Sequence, residues 1–269
     1  MKTTAPARSI IVERHYEFGR NWQRFSKVID EKRISVAMRS LTEMLEVDDL
    51  SGARFLDVGA GSGLFSLAAC RLGAEVCSFD CDSESVACAR EVKRRYLPDT
   101  SRWVIGQGSV LERDYLAALG TFDFVYAWGV LHHTGALWDA LENILVPLRE
   151  DGKLYIALYN DQGRVSEYWR WVKRLYSHNA SMRAPITCAH LPFLAATRLL
   201  PRMLNGRLKS DRGMSLWHDL ADWLGGYPFE VAKPQDIIRF YEEHGCSLLR
   251  FRRGGDPSGN NEYVFRVHP

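Results

Sequence analysis

Residues 55–65 read FLDVGAGSGLF: an apolar run, three glycines in five positions, and a second apolar run. Apolar strand, glycine turn and helix start in that order form the opening of a βαβ unit, and the chain on either side fits it. From Arg54 onward, short apolar runs alternate with helical stretches. RFLDV (54–58), EVCSFD (75–80), RWVIG (102–106), FDFVYA (122–127) and KLYIALY (153–159) are predicted strands, with predicted helices over 64–72, 83–96 and 136–148. Alternation at this spacing predicts an α/β fold with a doubly wound, mostly parallel sheet.

Upstream, residues 10–50 return apolar positions at spacings of three and four, as in WQRFSKVIDEKRISVAMRSLTEML (22–45), and predict a helical segment over 1–50. Downstream, the alternation breaks over 161–229, where aromatic and basic stretches carry prolines at 185, 192 and 201. It resumes with a helix near 234–244 and strands SLLRFRR (247–253) and NEYVFRV (261–267), joined by the turn GGDPSGN. The expected organisation is a helical lid over 1–50, a nucleoside-binding domain over 51–160 and 230–269, and a helical substrate cap over 161–229.

Composition bounds the partners. The 269 residues are 46% hydrophobic and 25% charged, enough for a full core. A net charge of +2 argues against a dedicated nucleic-acid surface. No apolar run reaches the ~18 residues of a membrane span and no leader-like apolar stretch opens the chain, so a cytoplasmic location is expected. Six cysteines without a CxxC pair read as reduced thiols, with no metal site.

The glycine loop has the order G-x-G-x-G, with Asp57 two residues before Gly59, rather than the G-x-G-x-x-G that seats a pyrophosphate. A carboxylate beside a phosphate repels it, whereas beside a cationic ligand it attracts. Asp80 closes the next strand, 21 positions after Gly59, where an acid accepts hydrogen bonds from ribose hydroxyls. Together these features predict a nucleoside cofactor with positive charge and disfavour a nicotinamide dinucleotide.

The motifs FLDVGAGSG, FDCDSESV, IGQGSVL, FDFVYAWGVLHH and LREDGKLYIALYN resemble those of class I S-adenosylmethionine-dependent methyltransferases, in particular the ubiquinone-type O-methyltransferase branch. The resemblance implies a seven-stranded Rossmann-like sheet whose last strand is antiparallel. It implies S-adenosyl-L-methionine as cofactor, with Gly59, Ala60, Gly61 and Gly63 approaching it, Asp57 near its amino-acid end, Asp80 on the ribose and Cys81 beside the adenine. Ser109 stands where many relatives carry an acid, with Val110 next to it, and Trp128 ends the fourth strand on the same cofactor side. Trp22 is either core or a lid closing over the site.

Methyl transfer to an alcohol or phenol calls for a base, whereas a thioether or neutral amine needs none. The histidine candidates are His132 and His133 after the fourth strand, and His218, which is followed by Asp219. Tyr159, Asn160, Arg212, Trp217 and Tyr227 are the candidate acceptor contacts. Between 161 and 212 ten Lys or Arg face three Asp or Glu. That excess suits an anionic acceptor, a membrane-surface helix or a solvated basic face. The expected function is O-methylation of an anionic or polar small molecule. S- or N-methylation of an amino-acid-like molecule, methylation of RNA or protein, and non-catalytic cofactor binding are the alternatives.

Overall fold

The computed structural model describes residues 22, 25–194, 224–254 and 259–268. Strands β1 (Arg54–Val58), β2 (Glu75–Asp80), β3 (Trp103–Gln107), β4 (Phe122–Trp128), β5 (Leu148–Tyr159), β6 (Cys246–Arg252) and β7 (Asn260–Val267) form one sheet. Their order is β3-β2-β1-β4-β5-β7-β6. The first five run parallel, and β7 lies antiparallel between β5 and β6. The order reverses between β1 and β4, which opens a crevice at the carboxyl ends of those strands.

Alternate residues of each strand serve opposite faces. Leu56, Val125, Leu154 and Ile156 point to one core, with helices α4 (Arg113–Ala118), α5 (Leu137–Asn143) and α8 (Pro234–Glu243) over it through Leu116, Leu141 and Ile237. Phe55, Tyr126, Tyr155 and Val264 point to the other. There α1 (Glu31–Leu45), α2 (Leu64–Arg71) and α3 (Ser83–Tyr96) deliver Ile34, Leu41, Leu67 and Val92. Helix α1 begins where Asp30 accepts the Arg33 N–H at 2.8 Å, and α3 where Asp82 accepts the Glu84 N–H at 3.0 Å, so both starts are capped by carboxylates.

Two expectations need correction. The helix predicted over 136–148 stops at Asn143, and β5 already begins at Leu148. Pro147 accounts for this: it disfavours helical backbone at the residue before it and brings no N–H of its own. No helix is predicted between the third and fourth strands, yet α4 lies there.

Beyond β5, α6 (Arg164–His178) and α7 (Arg183–Leu194) build a small core of Trp169, Val172 and Ile186 with Leu224 and Phe229. Residues 225–232 then run back as a strap over the sheet's carboxyl edge. Ala232 bridges to Asn160 and donates its N–H to the Tyr159 carbonyl at 3.2 Å.

Candidate functional site

The glycine loop is tied to β2 at both ends. The N–H groups of Gly59 and Ala60 donate to the Phe79 carbonyl at 2.8 and 3.0 Å, and the Gly61 N–H donates to Asp80 Oδ2 at 3.0 Å. Asp80 Oδ1 accepts the Asp82 N–H at 3.0 Å. One carboxylate therefore fixes the loop and the turn into α3. Burial raises the Asp80 pKa, while the two N–H groups pull it back.

Gly61 has φ +52° and meets the Trp22 indole so closely that an added Cβ would lie 2.8 Å from Cε2. Gly59, at φ +70°, lies under Val130 in the same way, with an added Cβ 2.5 Å from Cγ2. The loop thus needs glycine both for its backbone and for the side chains packed on it. Trp22 is held through its carbonyl, which accepts the Cys88 thiol at 3.1 Å, and by an edge contact with Phe25 at 5.9 Å.

Asp57 is buried and accepts the Ser66 hydroxyl at 2.5 Å. Burial pushes its pKa up to about 7, opposed by the Ser66 bond and aided by the nearby Asp80 charge. Cys81 is held as a thiol: desolvation, then the carboxylates of Asp80 and Asp82, push it up to about 11. Its carbonyl accepts the Gln107 amide at 3.1 Å. Ser109 Oγ accepts the Leu111 N–H at 3.2 Å, Val110 is buried, and Trp128 packs into the α1–α3 core.

Next to this crevice, across the end of β4, stand the histidines. His133 Nδ1 lies 2.7 Å from the Pro228 carbonyl on the strap. His132 is buried, 4.0 Å from the Tyr159 ring and 4.4 Å from His133. Neither of its ring nitrogens has a hydrogen-bond partner, and burial, followed by the charges of His133 and Lys173, holds its pKa well below the usual histidine range. Phe229 closes the cluster at 5.1 Å from Tyr159. The strap is pinned where the Glu230 N–H donates to the His132 carbonyl at 3.0 Å and Glu230 Oε1 accepts the Leu137 N–H at 3.1 Å.

The structure therefore brings together His132, His133 and Tyr159 in one cluster, and the glycine loop, Asp57, Asp80 and Trp22 in another. Asn160 sits at the edge of the first, its Oδ1 accepting the Asn261 amide at 3.1 Å. Tyr227 lies further out on the strap, edge-on to His178 at 5.3 Å. Arg212, Trp217 and His218 lie outside the described residues. Three contributors went unread in the sequence: the Pro228 carbonyl, Asn261 and Gln107. A backbone carbonyl leaves no compositional signal. The two side chains become neighbours of the site only through strand pairing, Leu158 with Asn261 and Asp80 with Gln107.

A sheet in this order with an antiparallel β7, a glycine loop leaving β1 and an acid ending β2 define a class I S-adenosylmethionine-dependent methyltransferase. The chain belongs to the methyltransferase domain family, whose model matches residues 29–204. Among curated proteins it is similar to the ubiquinone biosynthesis O-methyltransferase of Xanthomonas oryzae pv. oryzae, 34% identical over 121 residues, or 42% of this chain and 45% of the relative. The mitochondrial enzyme of that name from Bos taurus is 32% identical over 111 residues, 41% of this chain and 30% of the relative. The similarity thus spans less than half of each relative's length.

Among solved structures, the magnesium protoporphyrin IX methyltransferase ChlM of Synechocystis PCC 6803, determined with SAH bound, aligns over 94% of this chain and 95% of its own at a TM-score of 0.57 and 14% identity. PKMT2 of Rickettsia typhi aligns over 86% of this chain and 52% of its own at 0.58 and 14%. Both likenesses concern the fold.

Proposed function

We propose that the chain methylates an oxygen of a small polar or anionic molecule, using S-adenosylmethionine, with His133 as the base. The observation that carries this reading is the 2.7 Å contact between His133 Nδ1 and the Pro228 carbonyl. A carbonyl only accepts, so Nδ1 bears the proton and the lone pair of the neutral ring is on Nε2. That tautomer takes a proton from a hydroxyl as the oxygen attacks.

The residues present fit the cofactor. Glycines with no room for a Cβ leave a backbone cradle, Asp80 offers carboxylate lone pairs to a ribose, and Asp57 offers negative charge to an ammonium or sulfonium. Ser109 brings a hydroxyl to the adenine side, and Trp22 covers the loop as a lid. When bound, the sulfonium supplies an electrophilic methyl group. The chain's own task is to align acceptor and methyl and to exclude water, and the crowd of Tyr159, Phe229 and His132 beside His133 does the second. Arg164, at the start of α6, supplies positive charge for an anionic acceptor.

A second reading, S- or N-methylation, draws on the same aromatic rings, which stabilise a developing cation without a base. Calorimetric titration with S-adenosylmethionine, S-adenosylhomocysteine and NAD, followed by labelled-methyl transfer to hydroxy acids, thioethers and amines, separates these. Binding of the first two ligands with label on a hydroxy acid is expected. Label on a thioether or amine alone would overturn the O-methylation reading, and binding of NAD alone would overturn the cofactor assignment.

A further inference from the structure

Outside the strap, away from the glycine loop, a pocket of about 370 Å³ opens between the start of α5, helix α6 and residues 227–231. Its walls include Gly135, Trp138, Arg170, Tyr227, Pro228 and Glu230; it contains none of the residues of the glycine loop, and it meets the histidine cluster only through Pro228 and Phe229. The volume is within the range of small-ligand sites.

Its lining carries one cation, Arg170, and one carboxylate, Glu230. Arg170 donates its Nε to the Phe229 carbonyl at 3.2 Å, which fixes the guanidinium while using one of its five N–H groups, and it forms no ion pair among the described residues. Glu230 faces the other way chemically: Oε1 accepts the Leu137 N–H, and Oε2 is buried. The pocket therefore presents a positioned cation and hides its carboxylate. Trp138 adds a flat apolar wall. One of its neighbours is Phe240 at 5.4 Å, and 46% of the residue remains exposed.

We infer that this pocket is a binding site, separate from the cofactor crevice, for a planar aromatic anion: the ring lies on Trp138 and the carboxylate meets Arg170. A forked guanidinium beside an indole suits that shape and charge better than an aliphatic or a neutral ligand. The inference goes beyond the methyl-transfer reading and stands without it, because none of the glycine-loop residues lines the pocket.

The test is calorimetric titration of the full chain with benzoate, and with benzamide as its uncharged isostere, in the absence and presence of saturating S-adenosylhomocysteine. Benzoate is expected to bind at least about tenfold more tightly than benzamide, through the charge-assisted pair with Arg170. Its affinity should be unchanged by S-adenosylhomocysteine. Arg170→Gln and Trp138→Ala should each abolish benzoate binding while circular dichroism stays that of the parent chain. Absence of benzoate binding, parity with benzamide, displacement by S-adenosylhomocysteine, or full binding to Arg170→Gln would each overturn the site. None of those outcomes bears on whether methyl transfer occurs.

Discussion

The indole of Trp22 rests on the α-carbon of Gly61, at the point where the loop also donates its N–H to Asp80. A single residue thus meets the indole above and the carboxylate behind. Gly61→Ala introduces a Cβ 2.8 Å from Trp22 Cε2 at a φ of +52°. The left-handed backbone alone costs about 1 kcal/mol. Affinity for S-adenosylhomocysteine should fall by about tenfold or more. In the Gly61→Ala, Trp22→Ala double variant the loss should be smaller than the sum of the two single losses, because the indole no longer meets the new methyl group. Additive losses would mean that the contact has no energetic weight.

Asp80→Ala removes the acceptor of two backbone N–H groups as well as the proposed ribose contact. Cofactor affinity should drop by about 2–4 kcal/mol, and the melting temperature should fall too, since two part-buried donors lose their partner. Calorimetry and a thermal melt read these separately. Full affinity with lowered stability would confine Asp80 to holding the loop.

Replacing His133 with Gln should reduce turnover of a hydroxyl acceptor by about 10²- to 10⁴-fold, the usual weight of a general base. S-adenosylhomocysteine affinity should not change. The pH–rate profile should also lose its acidic limb. Equal losses in cofactor binding and turnover would make His133 a packing residue of the strap.

His132→Leu tests the neighbour in the opposite direction. Its buried imidazole lacks partners at both nitrogens, so an apolar side chain of similar size should leave the melting temperature unchanged or raise it. Turnover should persist. A collapse of turnover with intact folding would assign catalysis to His132.

Asp57 links stability to pH. Its folded pKa, about 7, is raised above the 3.8 of an unperturbed aspartate, so the folded state binds more protons than the unfolded state between those two values. Relative to Asp57→Asn, the parent chain should therefore lose stability as pH rises from about 4 to about 7 and lose no more above that. The full difference is on the order of 4 kcal/mol by the size of the shift. Melts of the two proteins across pH 4–9 measure it, and a constant difference would show that Asp57 is not shifted.

The sheet was legible because its strands announce themselves in apolar runs bounded by turns: β1 and β2 fall where the pattern places them. The glycine loop's place was legible for a related reason, since Gly59, Gly61, Asp57 and Asp80 sit at fixed offsets from the ends of β1 and β2. The acceptor side resisted. His133 is recognisable as a histidine at a strand end, but what orients its ring is a carbonyl 95 positions away. Its neighbour His132 carries the same sequence signal and is sealed in the core. The difference is one of burial, which adjacent identical residues cannot reveal. Helix α5 was overextended because the apolar positions after Asn143 continue at helical spacing, while Pro147 already commits the backbone to a strand.

The placement of β7 sets an order on the chain's birth. Among the described residues β6 pairs only with β7, and β5 meets β7 along its other edge. During synthesis β1 to β5 can pair as they emerge, whereas β6 leaves the ribosome before the strand that must lie beside it. Until residues 260–267 follow, β5 presents an open flank of apolar and unpaired backbone groups next to a half-formed histidine cluster. The strand made last among those described is thus the one that closes the sheet.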